Sequence, residues 1–217
     1  MLVSCWSAKG GSGTTVVAVA LALVHARATD VLLVDLAGDV PSALGLAEPE
    51  SPGLAAWLAA DDDVGVDALA RLEVEARRSL SVLPRGTGPL AAAPERLEAL
   101  VGHLTADPRP VVADCGVLGR GTATAAAFAG VATHSLLVTR PCYLALRRAA
   151  HLPLRPSGVV LVNEPGRALT RTDVEDIVGA TVRAEVALDP AVARAVDSGL
   201  LASRLPRTLE RALRRAA

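Results

Sequence analysis

The residues best placed for chemistry lie together near the start of the chain, in Ala8-Lys9-Gly10-Gly11-Ser12-Gly13-Thr14-Thr15. Three glycines in four positions let the backbone curl until several N–H groups point inward. A helix opening directly after the curl adds the positive end of its dipole, and together they bind phosphate. Gly10, Gly11, Ser12, Gly13 and Thr14 form that candidate cradle. Thr15 stands where the hydroxyl of a GxxxxGK[ST] loop reaches Mg²⁺. Lys9 carries a separate signal. The chain has 22 basic residues, and Lys9 alone among them is lysine. Arginine serves everywhere else, so a lone lysine among glycines points to a need for a compact ammonium, with chance as the alternative.

Two acids end apolar runs further on. Asp35 closes Val31-Leu32-Leu33-Val34, and Asp114 closes Val111-Val112-Ala113. Mg²⁺ keeps several waters and takes one or two carboxylates, so both are candidate metal residues beside Thr15. Gly116, two residues after Asp114, offers a backbone N–H to a terminal phosphate. Asn163 ends Gly158 to Asn163. Its amide can both donate and accept, and its position suits a turn former before Glu164-Pro165-Gly166.

Positioning these residues needs a framework, and strand-like runs alternate with helix-like segments throughout. Strands are expected at Leu2–Cys5, Val31–Leu36, Leu80–Pro84, Val111–Cys115, Ser135–Thr139, Gly158–Asn163 and Val182–Ala187. Helices are expected at Thr15–Ala28, Gly53–Ala60, Val66–Arg77, Pro94–Leu104, Thr122–Phe128, Tyr143–Ala150, Thr170–Val178, Pro190–Ser198 and Leu205–Arg215. Thr170 or Thr172 ahead of Asp173 and Glu175 gives one helix a capping pattern. Pro41–Pro52 and Pro84–Pro94 read as mobile loops. Continuous apolar strands alternating with helices mean an α/β fold, a doubly wound and mostly parallel sheet with helices on both faces. Its ligand crevice lies at the carboxyl ends of the strands. No repeat or long linker divides the chain, so residues 1–217 read as one nucleotide-binding domain.

Lys9-Gly10-Gly11-Ser12-Gly13-Thr14-Thr15 resembles the deviant Walker A motif, KGGxGK[ST], of ParA/MinD-type P-loop ATPases, and the form ending in Thr-Thr is closest to their CpaE/TadZ-like branch. The resemblance covers the chain in outline. The run ending in Asp35 looks like the strand entering switch I, and Val111 to Gly116 looks like the Walker B and switch II strand. The segment through Leu188, Asp189 and Pro190 looks like the loop flanking the base. The resemblance implies ATP and Mg²⁺ as ligands, and a nucleotide-dependent homodimer in which Lys9 reaches the partner's phosphates. It also implies base contacts from Asn163, Leu188 and Asp189. Arg140 then faces either the dimer partner or solvent.

Two departures bear on hydrolysis. Thr14 replaces the usual P-loop lysine, which neutralises β- and γ-phosphate charge. Lys9 compensates in cis or in trans. Switch I of the family reads DxD, but here Ala37 stands at the second acid, and Asp39 replaces it only if the loop is shortened. Lys9 and Asp39 are therefore the candidate catalytic residues, and weak or absent hydrolysis is expected.

Composition narrows the rest. A formal net charge of −1 gives no bulk field for nucleic acid. Cys5, Cys115 and Cys142 form no CxxC pair, which fits a reducing compartment. The four histidines show no ligand spacing. The apolar stretch from Thr14 to Val24 is about 11 residues, against roughly 20 for a membrane span. No leader precedes the first strand, so a cytoplasmic protein is expected. At the C-terminus, Leu205, Leu209 and Leu213 recur at helical spacing among Arg207, Arg211, Arg214 and Arg215. A final core helix with a solvated arginine face is favoured over a membrane or DNA contact, because the stripe lacks Phe or Trp. The expected function is an ATP-binding switch that recruits an unidentified protein partner. The alternative is a non-catalytic pseudo-ATPase scaffold for pilus, secretion, septum or chromosome positioning.

Overall fold

The first strand is buried along its whole length, and so is the second, which explains their lack of alternation. A computed structural model describes residues 1–47, 52–60, 64–214 and 216. Among them the strands are β1 (Leu2–Ser7), β2 (Val31–Asp35), β3 (Val74–Arg77), β4 (Leu80–Leu83), β5 (Val111–Val117), β6 (His134–Thr139), β7 (Gly158–Asn163) and β8 (Val182–Ala187). They form one sheet in the order β3-β4-β2-β5-β1-β6-β7-β8. Every neighbouring pair is parallel except β3 with β4. The expected doubly wound, mostly parallel sheet is present. β1 lies between β5 and β6, so the chain leaves it at the point where winding reverses, and the loop after β1 opens into the crevice.

The helices are α1 (Thr14–His25), α2 (Val40–Leu44), α3 (Gly53–Ala59), α4 (Pro94–Ala106), α5 (Ala123–Val131), α6 (Tyr143–Ala150), α7 (Arg171–Val178), α8 (Pro190–Asp197) and α9 (Arg207–Leu213). Side chains alternate across each strand. Leu2 and Trp6 join a core with α3 to α7 on one face, while Val3 and Cys5 join α1, α2, α8 and α9 on the other. Val17 to Leu23 are all buried, because α9 lies over α1. The leucine stripe thus serves the core: Leu209 and Leu213 are buried and Arg207 and Arg211 exposed. Arg215 lies outside the described residues.

Some expected elements are corrected. Val66–Arg77 is not one helix but a 3-10 turn over Val66–Leu72 followed by β3. Val74-Glu75-Ala76-Arg77 alternates half-buried with exposed, a period of two, and pairs antiparallel with β4. The two-residue turn between them holds Ser79 at φ 65°, the one non-glycine residue with positive φ among those described. Without Gly or Asn at the turn, the hairpin leaves no ordinary sequence signal. Part of Pro41–Pro52 is also helical, since Val40–Leu44 form α2 with Pro41 in its first turn. Residues 48–51 of that segment lie outside the described residues. Thr170, not Thr172, caps α7, with Asp173 completing a capping box. The outer edge of the sheet, β8, alternates buried and exposed and carries Arg183 and Glu185 on its exposed positions.

Candidate functional site

The loop between β1 and α1 has the expected curl. Gly11 has φ 76° and Gly13, the N-cap of α1, has φ 88°. Both are left-handed values that favour glycine. The Ser12 hydroxyl donates to the Lys9 carbonyl at 2.8 Å and closes the turn. A Cβ placed on Gly10, Gly11 or Gly13 meets no protein atom within 4 Å. The space above the loop is open to a ligand that the backbone N–H groups and the α1 dipole would hold.

A cleft of about 670 Å³ adjoins the loop. Gly11 to Val16 form one wall, Leu36, Ala37 and Asp39 a second, and Cys115 to Val117 a third. Arg85 closes it from the segment after β4. A smaller cavity of about 200 Å³ lies on the other side of the same loop, sharing Ser12, Gly13 and Val16 with the cleft. Its wall is mostly apolar and includes Val186, Leu188 and Asp189.

Asp114 is fully buried, next in the chain to Cys115 and Gly116 of the cleft wall. Its Oδ1 accepts the Gly116 N–H at 3.0 Å, while its Oδ2 has no hydrogen-bond partner. Burial pushes its pKa up to about 7. The Thr15 hydroxyl beside it and the Gly116 N–H pull the other way, and Asp35 and Asp39 add repulsion. An orphaned carboxylate oxygen beside a hydroxyl fits a hard cation. Among the described residues no cluster of three or more His, Cys, Asp or Glu could hold a metal alone. A cation here would draw its remaining ligands from phosphate oxygens and water.

Asp35 is committed differently. Its Oδ1 accepts from the N–H groups of Ala37 (3.0 Å) and Gly38 (2.6 Å), and its Oδ2 from Val40 (3.2 Å). Burial raises its pKa while these three bonds lower it. Its carboxylate therefore shapes the loop leading to α2, and any part in metal binding passes through Oδ2 or a water. Asp39, next in that loop, lines the cleft.

The remaining expected residues are divided. Lys9 lies outside the cleft, with its ammonium 3.4 Å from the Gly10 carbonyl. Gly116, at φ 63°, turns its N–H back to Asp114, so the expected free donor is already engaged. Asn163 is exposed and does not line the small cavity, though its carbonyl accepts the Leu188 N–H at 2.9 Å. Asp189 contributes to the cavity wall, but its carboxylate caps α8 through Ala191 and accepts from Thr208. Arg140 lines the cavity and lies 3.8 Å from Glu164. Arg85 is the residue sequence reasoning missed. Its one signal is a Pro-Arg-Gly step directly after a strand, at the end of the sheet where ligands bind.

Fold and loop together define a P-loop α/β architecture. The sequence matches no protein-family model, and a search of curated proteins finds no match. Solved structures do match. A ParA family ATPase from Chlorobium tepidum is 20% identical with a TM-score of 0.77, covering 98% of this chain and 95% of that one. The septum site-determining protein MinD from Pyrococcus horikoshii, solved with Mg-ADP, is 20% identical with a TM-score of 0.77, covering 98% and 92%. The MinC:MinD cell division complex of Aquifex aeolicus contains a chain 19% identical with a TM-score of 0.79, covering 99% and 94%. The fold is therefore that of ParA/MinD-type ATPases.

Proposed function

We propose that this chain binds ATP with Mg²⁺ as a ParA/MinD-like switch, of the CpaE/TadZ-like kind, working in the cytoplasm as a single nucleotide-binding domain. One observation carries the reading: the glycine loop at the N-terminus of α1 lines a cleft together with Thr15, Cys115 and Gly116, and the orphaned Oδ2 of Asp114 is buried beside Thr15 and Gly116. In this reading the N–H groups from Gly10 to Thr14 hold the phosphates. Thr15 and Asp114 hold Mg²⁺, with Asp35 supporting them by fixing the loop before α2. The small apolar cavity by Leu188 and Asp189 takes the base, with Asn163 at its margin. The bound Mg²⁺ offsets phosphate charge.

Lys9 does not line its own cleft, which favours action in trans across a homodimer over compensation in cis. Asp39 is then the acid left to position a water, because Ala37 carries no carboxylate. Weak hydrolysis or none follows from that and from Thr14. Nucleotide would favour the dimer, and the dimer would recruit a protein partner; such coupling requires ATP to bind the two states differently.

Titration calorimetry with Mg-ATP, joined to light scattering, tests this. Binding with a doubling of mass, and loss of the doubling in Lys9→Ala, is the expected result. No binding at millimolar ATP would overturn it. A pseudo-ATPase scaffold, favoured by the lack of lysine in the cleft wall, would then be the better reading.

A further inference from the structure

Thr14 supplies no cation to the cleft, and Lys9, though part of the loop, does not line it. Among the described residues that do line it, Arg85 is the one with a positive side chain. Its place is fixed by the backbone. The Arg85 carbonyl accepts the Ala55 N–H at 2.8 Å and the Pro84 carbonyl accepts the Leu54 N–H at 2.8 Å, satisfying two donors of the first turn of α3. Gly86 follows under contact, since a Cβ there would lie 2.0 Å from the Pro52 carbonyl oxygen.

The guanidinium reaches from this clamp to the switch wall. Nη1 donates to the Ala37 carbonyl at 3.0 Å and Nη2 to the Gly88 carbonyl at 3.4 Å. A guanidinium has five N–H donors. These two bonds, the ones it makes among the described residues, leave three. A half-buried arginine with spare donors in a phosphate-sized cleft suits bidentate phosphate recognition.

We propose that Arg85 is the phosphate-contacting cation of this cleft, supplying from the segment between β4 and α4 the charge that Thr14 does not. The proposal rests on the ATP-binding reading above. Arg85 hangs on the Ala37 wall of the cleft and not on the glycine loop, and in this proposal it meets the outermost phosphate. ATP should therefore depend on it more than ADP.

The test is calorimetry with Mg-ATP and Mg-ADP on the full chain as wild type, Arg85→Ala, Arg85→Lys and the double variant Arg85→Ala/Thr14→Lys. Circular dichroism and cooperative unfolding check that each is folded. Arg85→Ala should weaken Mg-ATP by about tenfold to a hundredfold, as for loss of a charge-assisted bond. Mg-ADP should lose less, Arg85→Lys should keep part of the affinity, and Thr14→Lys should restore it. Wild-type affinity in Arg85→Ala overturns the proposal alone. So does equal loss for both nucleotides without rescue by Thr14→Lys, which would make Arg85 a structural latch on Ala37. Failure of the wild type to bind overturns the ATP reading and this proposal together.

Discussion

Asp35 and Asp114 are direct register partners on β2 and β5, both fully buried, yet only Asp114 keeps an oxygen without a partner. Neighbouring carboxylates raise each other's pKa unless a cation intervenes. One of the pair shapes a loop and the other has an oxygen left uncommitted.

The first prediction concerns pH. Asp114 has a folded pKa raised to about 7, against about 4 when unfolded. Between these values the folded state binds more protons at Asp114, so this group's contribution to stability is full below about 4 and is lost as pH rises through about 7. Urea unfolding at pH 5.5 and 8 should show the nucleotide-free protein weaker at pH 8. Asp114→Asn should remove much of that slope, on the order of 2 kcal/mol, while abolishing Mg²⁺-dependent nucleotide binding.

Gly116 offers a second. A Cβ there would lie 3.0 Å from the Ala37 side chain, at a backbone φ of 63°. Gly116→Ala should cost about 1–2 kcal/mol and push the loops that follow β2 and β5 apart. A lower thermal midpoint, with weaker ATP binding than the stability loss explains, is the expected outcome.

Lys9→Arg separates charge from shape. If a compact ammonium is required, arginine should fail to restore the nucleotide-dependent doubling of mass that Lys9→Ala removes. Sedimentation velocity with Mg-ATP reads this directly. A full doubling in Lys9→Arg would show that charge alone suffices.

Arg96, which does not line the cleft, provides a stability prediction. It is buried, stacks on Trp57 at 3.7 Å and donates to the Trp57 and Val64 carbonyls. Arg96→Ala should destabilise by about 2–4 kcal/mol through lost bonds and stacking. Chemical denaturation should show this with nucleotide affinity little changed at temperatures where the variant stays folded.

The parts legible from sequence were those with strong local rules. Buried parallel strands announce themselves as unbroken apolar runs, as in Val31 to Val34, and the glycine cradle as a loop between strand and helix. The 3-10 turn and β3 escaped because four alternating residues and a turn at Ser79 imitate a short helix. Asp35 and Asp114 looked equivalent because sequence shows where an acid sits but not which N–H groups its oxygens meet. Arg85 was hidden among the other arginines. Its importance comes from the Pro52 to Ala55 backbone packing under it, a contact between segments about 30 residues apart in sequence.

The sheet's two outer strands carry alternating opposite charges, Glu75 and Arg77 on β3, Arg183 and Glu185 on β8. Charged edges discourage strand addition. Open-ended polymerisation through the sheet is thereby disfavoured. Closed pairing is then favoured on another surface, and the face that bears the glycine loop would make assembly answer to what fills the cleft.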